Sequence, residues 1–152
     1  RPKSVETIAL ILVAPETDPY LGSEIFTVIK NFDLPLIMGK DGFLEQVTTT
    51  YFGDEVEFSV ANLIHPGSFD VPNVMQMKLP GILFFMDIPS PDYQKDTFDQ
   101  MLRIAARFGN ELGGTRLDQD KRSLTAQSVE ALRHHIKQLD ERLWFQAEFD
   151  NK

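Results

Sequence analysis

Cysteine is absent from the 152 residues of this chain. Its absence excludes a disulfide framework, a thiolate metal site and a cysteine nucleophile. Uninterrupted apolar runs are short, and none of them is long enough to cross a lipid bilayer. The sequence begins with Arg1 rather than Met, so we expect a fragment of a longer protein in which any membrane anchor is encoded upstream.

Positive charge is scarce. The 15 lysines and arginines stand against 23 aspartates and glutamates, which gives a formal net charge of −8 and a pI near 4.8. The electrostatic field of this net negative charge repels phosphate groups, which weighs against nucleic acid or an anionic membrane surface as a direct partner. The hydrophobic share of 42% is that of a folded chain, and the length suits one core. We predict a single domain over residues 1–152, with 1–4 as a flexible leader.

Short runs rich in β-branched and aromatic residues predict the strands of a sheet. Two runs, at 7–13 and 82–88, are apolar on consecutive positions, and the second is expected to be the central strand. Four further short strands are expected at 39–44, 47–53, 56–64 and 115–118.

Apolar residues at helical spacing predict three helices. The first lies near 23–31, and the second runs from about Lys95 to a glycine cap at Gly113. The third is long and follows Thr125, a candidate amino-terminal cap. Together these elements predict an α+β fold: one antiparallel sheet of about six strands, with three helices on one face and the other face open.

The two most apolar strands lack the alternation expected of a sheet with one face in water. In 7–13 and 82–88 both sets of alternate residues are apolar, so both faces of the sheet are expected to exclude water. Three helices cover only one face. The second face is therefore either roofed by loops or an apolar patch that accepts a partner, and the sequence leaves both alternatives open. A small patch of this kind suits a short peptide.

No arrangement of residues predicts catalysis, a metal site or a cofactor. His134 and His135 are adjacent on a predicted helix, where they point about 100° apart and do not converge on one ion. His65 lies in a turn, with no serine elbow or second histidine nearby in the sequence. Asp118 and Asp120 lack the central glycine and final glutamate of a calcium loop. We therefore predict a non-catalytic domain without metal or cofactor.

Four segments in the second half of the chain form a recognisable set: FSVANLIHPGSFD (58–70), LPGILFFMDIP (79–89), FGNELGG (108–114) and LDQDKRSLTAQSVEALRHHI (117–136). In order and spacing they resemble the carboxy-terminal domain family of the bacterial cell-division protein ZipA. The resemblance implies a domain of split β-α-β character whose open sheet face binds the carboxy-terminal tail peptide of FtsZ in a shallow apolar groove.

The resemblance also implies which residues line that groove. They are Ile8, Leu10, Asp41, Phe43, Ala61, Leu63, Leu83 and Phe85. Asp41 stands where the family is expected to have an apolar residue, and Glu45-Gln46-Val47 replace the family's His-Arg-His. Either the groove is smaller at that end or the register of the second strand is shifted by a residue or two.

The family context further implies an amino-terminal membrane span and a long flexible linker outside this chain. The domain is then expected on the cytoplasmic side of the bacterial inner membrane, where it tethers FtsZ during septum formation. We expect the fragment itself to be a monomer without direct membrane contact. Self-association through the same apolar sheet face is the alternative function.

Overall fold

The computed structural model describes residues 3–150. The strands in this range are β1 (Glu6–Val13), β2 (Tyr20–Leu21), β3 (Ile37–Met38), β4 (Leu44–Thr50), β5 (Gly53–Asn62), β6 (Lys78–Leu79), β7 (Gly81–Ile88) and β8 (Thr115–Asp118). The helices are α1 (Gly22–Asn31), α2 (Thr97–Leu112) and α3 (Ala126–Asp150), with a 3-10 helix at Val71–Gln76. Within residues 3–150, no helix combines the length and the apolar character needed to span a membrane.

Six of the strands form one antiparallel sheet in the order β3-β4-β5-β7-β1-β8. β7 lies at its centre, between β5 and β1, as predicted for the most apolar strand of the chain. It pairs with β1 along eight residues. β2 and β6 form a separate two-residue ladder that the sequence did not indicate. The predicted α+β fold with a six-stranded antiparallel sheet is confirmed.

The strand predicted at 39–44 is wrong for all but its last residue. Residues 39–43 form the turn between β3 and β4, in which the Gly39 N–H donates to the Phe43 carbonyl at 2.8 Å. Gly42 has a φ of +81°, which glycine adopts without strain. The two glycines, three residues apart, were the sequence signal for a turn.

Alternate residues of the central strands pack beneath the helices. Leu12 of β1 and Phe84 of β7 are buried, and the Phe84 ring lies 5.8 Å from the Phe108 ring of α2. The same cluster includes Ile25 of α1 and Ile136 of α3. Burial of one such side chain contributes roughly 1.5–3 kcal/mol. All three α-helices therefore share one core and lie on one face of the sheet, as predicted.

Polar contacts fix α3 against the sheet. At its start the Ser128 N–H donates to the Thr125 hydroxyl oxygen at 3.0 Å, so Thr125 is the predicted cap. Further along, the buried Asp140 carboxylate accepts from the Ser90 N–H (2.6 Å) and the Ser90 hydroxyl (2.8 Å). The Trp144 indole N–H donates to the Ser90 carbonyl at 3.0 Å. These bonds hold α3 against the segment that follows β7, on the side away from the open face.

Candidate functional site

The sheet face opposite the helices carries a continuous apolar strip. The strand register places Ala9 of β1 beside Phe85 of β7, and Ile11 beside Leu83. On the other side of β7, Ala61 of β5 lies beside Leu83. Because side chains alternate between the two faces of a sheet, these five residues point away from the core that the helices cover. The strip therefore combines positions from all three central strands.

Ile8 and Leu10, two of the predicted groove residues, lie on the other face. They are 1% and 2% exposed, and they belong to the core beneath the helices. Their strand partners are Met86 and Phe84, which face the same way. A shift of one residue moves a strand's side chains to the opposite face, and that shift is the error here. Ala9, which the prediction missed, takes the open-face position beside Phe85.

Phe43 and Leu63 form raised walls beside the strip. The Phe43 ring stands perpendicular to the Phe85 ring at a centroid distance of 5.7 Å. A Cβ atom added at Gly67 would lie 3.6 Å from the Phe43 ring and 3.7 Å from the Ala61 Cβ, so the loop after β5 approaches closely here. Leu63 covers the other end, because a Cβ added at Gly81 would lie 2.8 Å from its side chain.

The open face is partly roofed and partly exposed. Ala61 is only 3% exposed, and the loop after β5 lies close to it at Gly67. Covering by loops was one of the two alternatives that the sequence allowed for this face. Phe43, Leu63, Leu83 and Phe85 are each half-buried. The result is a shallow groove in which apolar side chains still contact solvent, rather than a sealed second core.

Carboxylates surround one end of the groove. Asp41, Glu45 and Asp87 line a cleft of about 450 Å³ together with Phe43 and Phe85. Asp41 and Asp87 are exposed, and Glu45 is half-buried. None of the ion pairs formed within residues 3–150 involves these three carboxylates. The structure thus brings the predicted Asp41 to the groove, at an end that is acidic as well as apolar.

Ionisable groups elsewhere serve the fold. Burial raises the pKa of Asp140 above its ordinary value of 3.8, although hydrogen bonds from Ser90 act in the opposite direction. His135 lies 3.3 Å from the Glu6 carboxylate, and His134 is exposed beside it. Within residues 3–150 no three His, Asp or Glu side chains are arranged to hold a metal ion.

Comparison with known proteins identifies the family. The family model described as "ZipA, C-terminal FtsZ-binding domain" matches residues 6–135. The cell division protein ZipA of Pseudomonas fluorescens strain Pf-5 is 27% identical over 142 residues, which cover 93% of this chain and 49% of that protein. ZipA of Stutzerimonas stutzeri strain A1501 is 36% identical over 88 residues, which cover 58% of this chain and 32% of that protein.

The match to the family model includes every strand of the sheet, α1, α2 and the first part of α3. The chain spans half or less of the length of these ZipA relatives. The family is one of binding domains and is non-catalytic, in agreement with the prediction that the chain is not an enzyme. The chain belongs to the family of ZipA C-terminal FtsZ-binding domains.

Proposed function

We propose that this domain binds the carboxy-terminal tail of FtsZ along the apolar strip of the open sheet face. The observation that carries the proposal is that a chain of an FtsZ-binding family keeps a groove on the sheet face away from its helices, in which Phe43, Leu63, Leu83 and Phe85 are only half-buried. The groove is floored by Ala9, Ile11, Ala61, Leu83 and Phe85 and walled by Phe43 and Leu63.

The mechanism is docking without chemistry. A short peptide places two or three aliphatic or aromatic side chains in the groove, and each contributes roughly 1–2 kcal/mol before ordering costs are subtracted. Affinity on the order of micromolar follows. Phe85 lies at the centre of the strip, with its ring against Phe43 and its strand neighbour Ala9 beside it, so it is the main anchor point.

The cellular role rests on similarity to the ZipA relatives. In the full-length protein we place the domain on the cytoplasmic side of the inner membrane, joined by a linker to an anchor upstream, so that tail binding tethers FtsZ during septum formation. The isolated domain is proposed to be a monomer. Self-association through the same apolar face is the competing use of the groove.

The test is a titration of the isotopically labelled domain with a peptide that copies the last residues of FtsZ from the same organism. Backbone amide shifts are expected at Ala9, Leu83 and Phe85 and not on α2. Phe85→Asp should abolish these shifts. Phe145→Asp is the matched control, because Phe145 is an exposed aromatic residue on α3.

Two results would contradict the proposal. Shifts confined to the helical side would move the binding site, and no shifts with any length of tail would remove the function. Sedimentation of the domain without peptide distinguishes tail binding from self-association. A dimer that forms in the wild type and is lost in Phe85→Asp favours self-association. A circular-dichroism melt checks that each variant remains folded.

A further inference from the structure

Among the residues that the structure describes, none supplies a cationic partner to the acidic end of the groove. Asp41, Glu45 and Asp87 line the same cleft as the apolar rings of Phe43 and Phe85. Lys40, the lysine nearest to Asp41 and Glu45 in sequence, forms no ion pair with any of the three, and neither does any other residue of the range 3–150.

Strand register places Glu45 and Asp87 on the same face as the peptide groove, and Asp41 lines the same cleft from the turn before β4. Glu45 lies opposite Ser59, Ser59 opposite Phe85, and Phe85 opposite Ala9, which makes one row across four strands. With about 4.8 Å between strands, Glu45 is roughly 10 Å from the centre of the apolar strip. Asp87 is two residues along β7 from Phe85, and therefore on the same face.

Two of the carboxylates are held in place by local contacts. Asp87 accepts a hydrogen bond from the Thr7 hydroxyl at 2.8 Å. The Glu45 carboxylate lies against the turn at Gly39, where an added Cβ would be 2.3 Å from its Oε1 atom. Their position beside the groove is thus set before any ligand arrives, which reduces the ordering cost of binding.

A peptide lying on Phe43 and Phe85 removes water from the apolar side of this cleft. Partial desolvation of unpaired carboxylates is unfavourable, so a neutral or acidic ligand is disfavoured at this end. A Lys or Arg side chain offsets that cost through charge-assisted hydrogen bonds. The net charge of −8 adds attraction for a cationic ligand during encounter.

We propose that the peptide bound in this groove presents a basic side chain, Lys or Arg, to the carboxylates of Asp41, Glu45 and Asp87, next to the apolar anchor seated on Phe85. The proposal rests on the proposed function and specifies the chemistry of its ligand. The acidic end then selects both the peptide and the direction in which it lies along the strip.

The test is a double-mutant cycle between domain and peptide, with affinity measured by calorimetry. On the domain side, Asp41→Asn/Glu45→Gln removes two charges without changing side-chain size. On the peptide side, each Lys or Arg of the FtsZ tail is replaced in turn by Gln. Glu111→Gln is the control variant, since Glu111 is exposed at the end of α2, which packs on the other face of the sheet.

The neutralised domain should bind the unmodified tail about fivefold more weakly, because each partly exposed ion pair is worth a few tenths to about 1 kcal/mol. One Gln-substituted peptide should bind wild-type domain with a similar loss. Against the neutralised domain, which keeps only Asp87, the same peptide should show a much smaller loss. Added salt should weaken wild-type binding more than binding to the neutralised domain. Glu111→Gln should leave the affinity unchanged.

Equal binding by wild-type and neutralised domains, or additive losses for every peptide position, would overturn the basic-residue proposal. So would tight binding of a tail that contains no Lys or Arg. In each of these cases the amide shifts at Leu83 and Phe85 would persist, and the proposed function would stand. Loss of those shifts with every peptide would instead refute the function itself.

Discussion

Phe84 and Phe85 are neighbours on β7, and the same substitution at each should affect different properties of the domain. Phe84 is fully buried and packs on Phe108 of α2. Its replacement by alanine leaves a cavity in the core and should lower the free energy of unfolding by about 3–5 kcal/mol. At about 2–4 °C per kcal/mol for a chain of this size, the Tm should fall by roughly 6–20 °C.

Phe85→Ala should produce the opposite pattern. Phe85 is half-buried on the open face, so truncation removes only part of its buried area and should lower the free energy of unfolding by about 1 kcal/mol. Tail binding should weaken by about 2 kcal/mol, or roughly 30-fold, because the side chain forms the centre of the groove. Phe84→Ala, measured well below its Tm, should keep most of its affinity.

Thermal melts measure the stability of the two variants, and calorimetric titrations measure their affinity for the tail. Comparable losses of stability would mean that Phe85 belongs to a second core, sealed by the loop after β5. Comparable losses of affinity would mean that tail binding depends on general integrity of β7 rather than on one face. Either result would refute the assignment of the groove to the open face.

Four further substitutions test the fold around this site. Asp140→Ala should lower the free energy of unfolding by about 1–3 kcal/mol, because it leaves the Ser90 N–H and hydroxyl without their acceptor. Burial raises the pKa of Asp140 in the folded state, so its contribution to stability falls as pH rises from 3.8 through the raised value, and urea midpoints of the variant should lack that slope. Thr125→Ala should cost about 1 kcal/mol by removing the cap of α3, without changing tail affinity, and a variant that loses affinity would argue against α3 lying on the far face. Ile8→Glu should prevent folding because Ile8 is buried in the core, whereas Ala9→Glu should fold but no longer bind the tail. Circular dichroism and a binding assay check both variants, and an unfolded Ala9→Glu beside a folded Ile8→Glu would contradict the assignment of the two faces.

Much of the fold was predictable because its elements carry local signals. The stripe of α2 and the Thr125 cap of α3 are properties of short segments, and the structure places both helices where these signals predict. The contact between Asp140 and Ser90 was not predictable, because the two residues are 50 positions apart and each is an ordinary polar residue in its own segment. The turn at 39–43 was predicted as part of a strand, although Gly39 and Gly42 lie within it and favour a turn.

It was harder to predict which residues of β1 point to the open face, and the polar residues of β1 and β7 decide it. β7 and β1 pair so that odd-numbered residues lie opposite odd-numbered residues, which puts Asp87 opposite Thr7. A charged residue and a hydroxyl mark the face of the sheet that contacts water, so the odd positions of both strands belong to the open face. Apolar residues alone do not distinguish the two faces, since both the odd-numbered and the even-numbered positions of β1 are mostly apolar. Asp87 therefore identifies the face of the groove and also supplies part of its acidic end, which links the register of the sheet to the charge of the ligand.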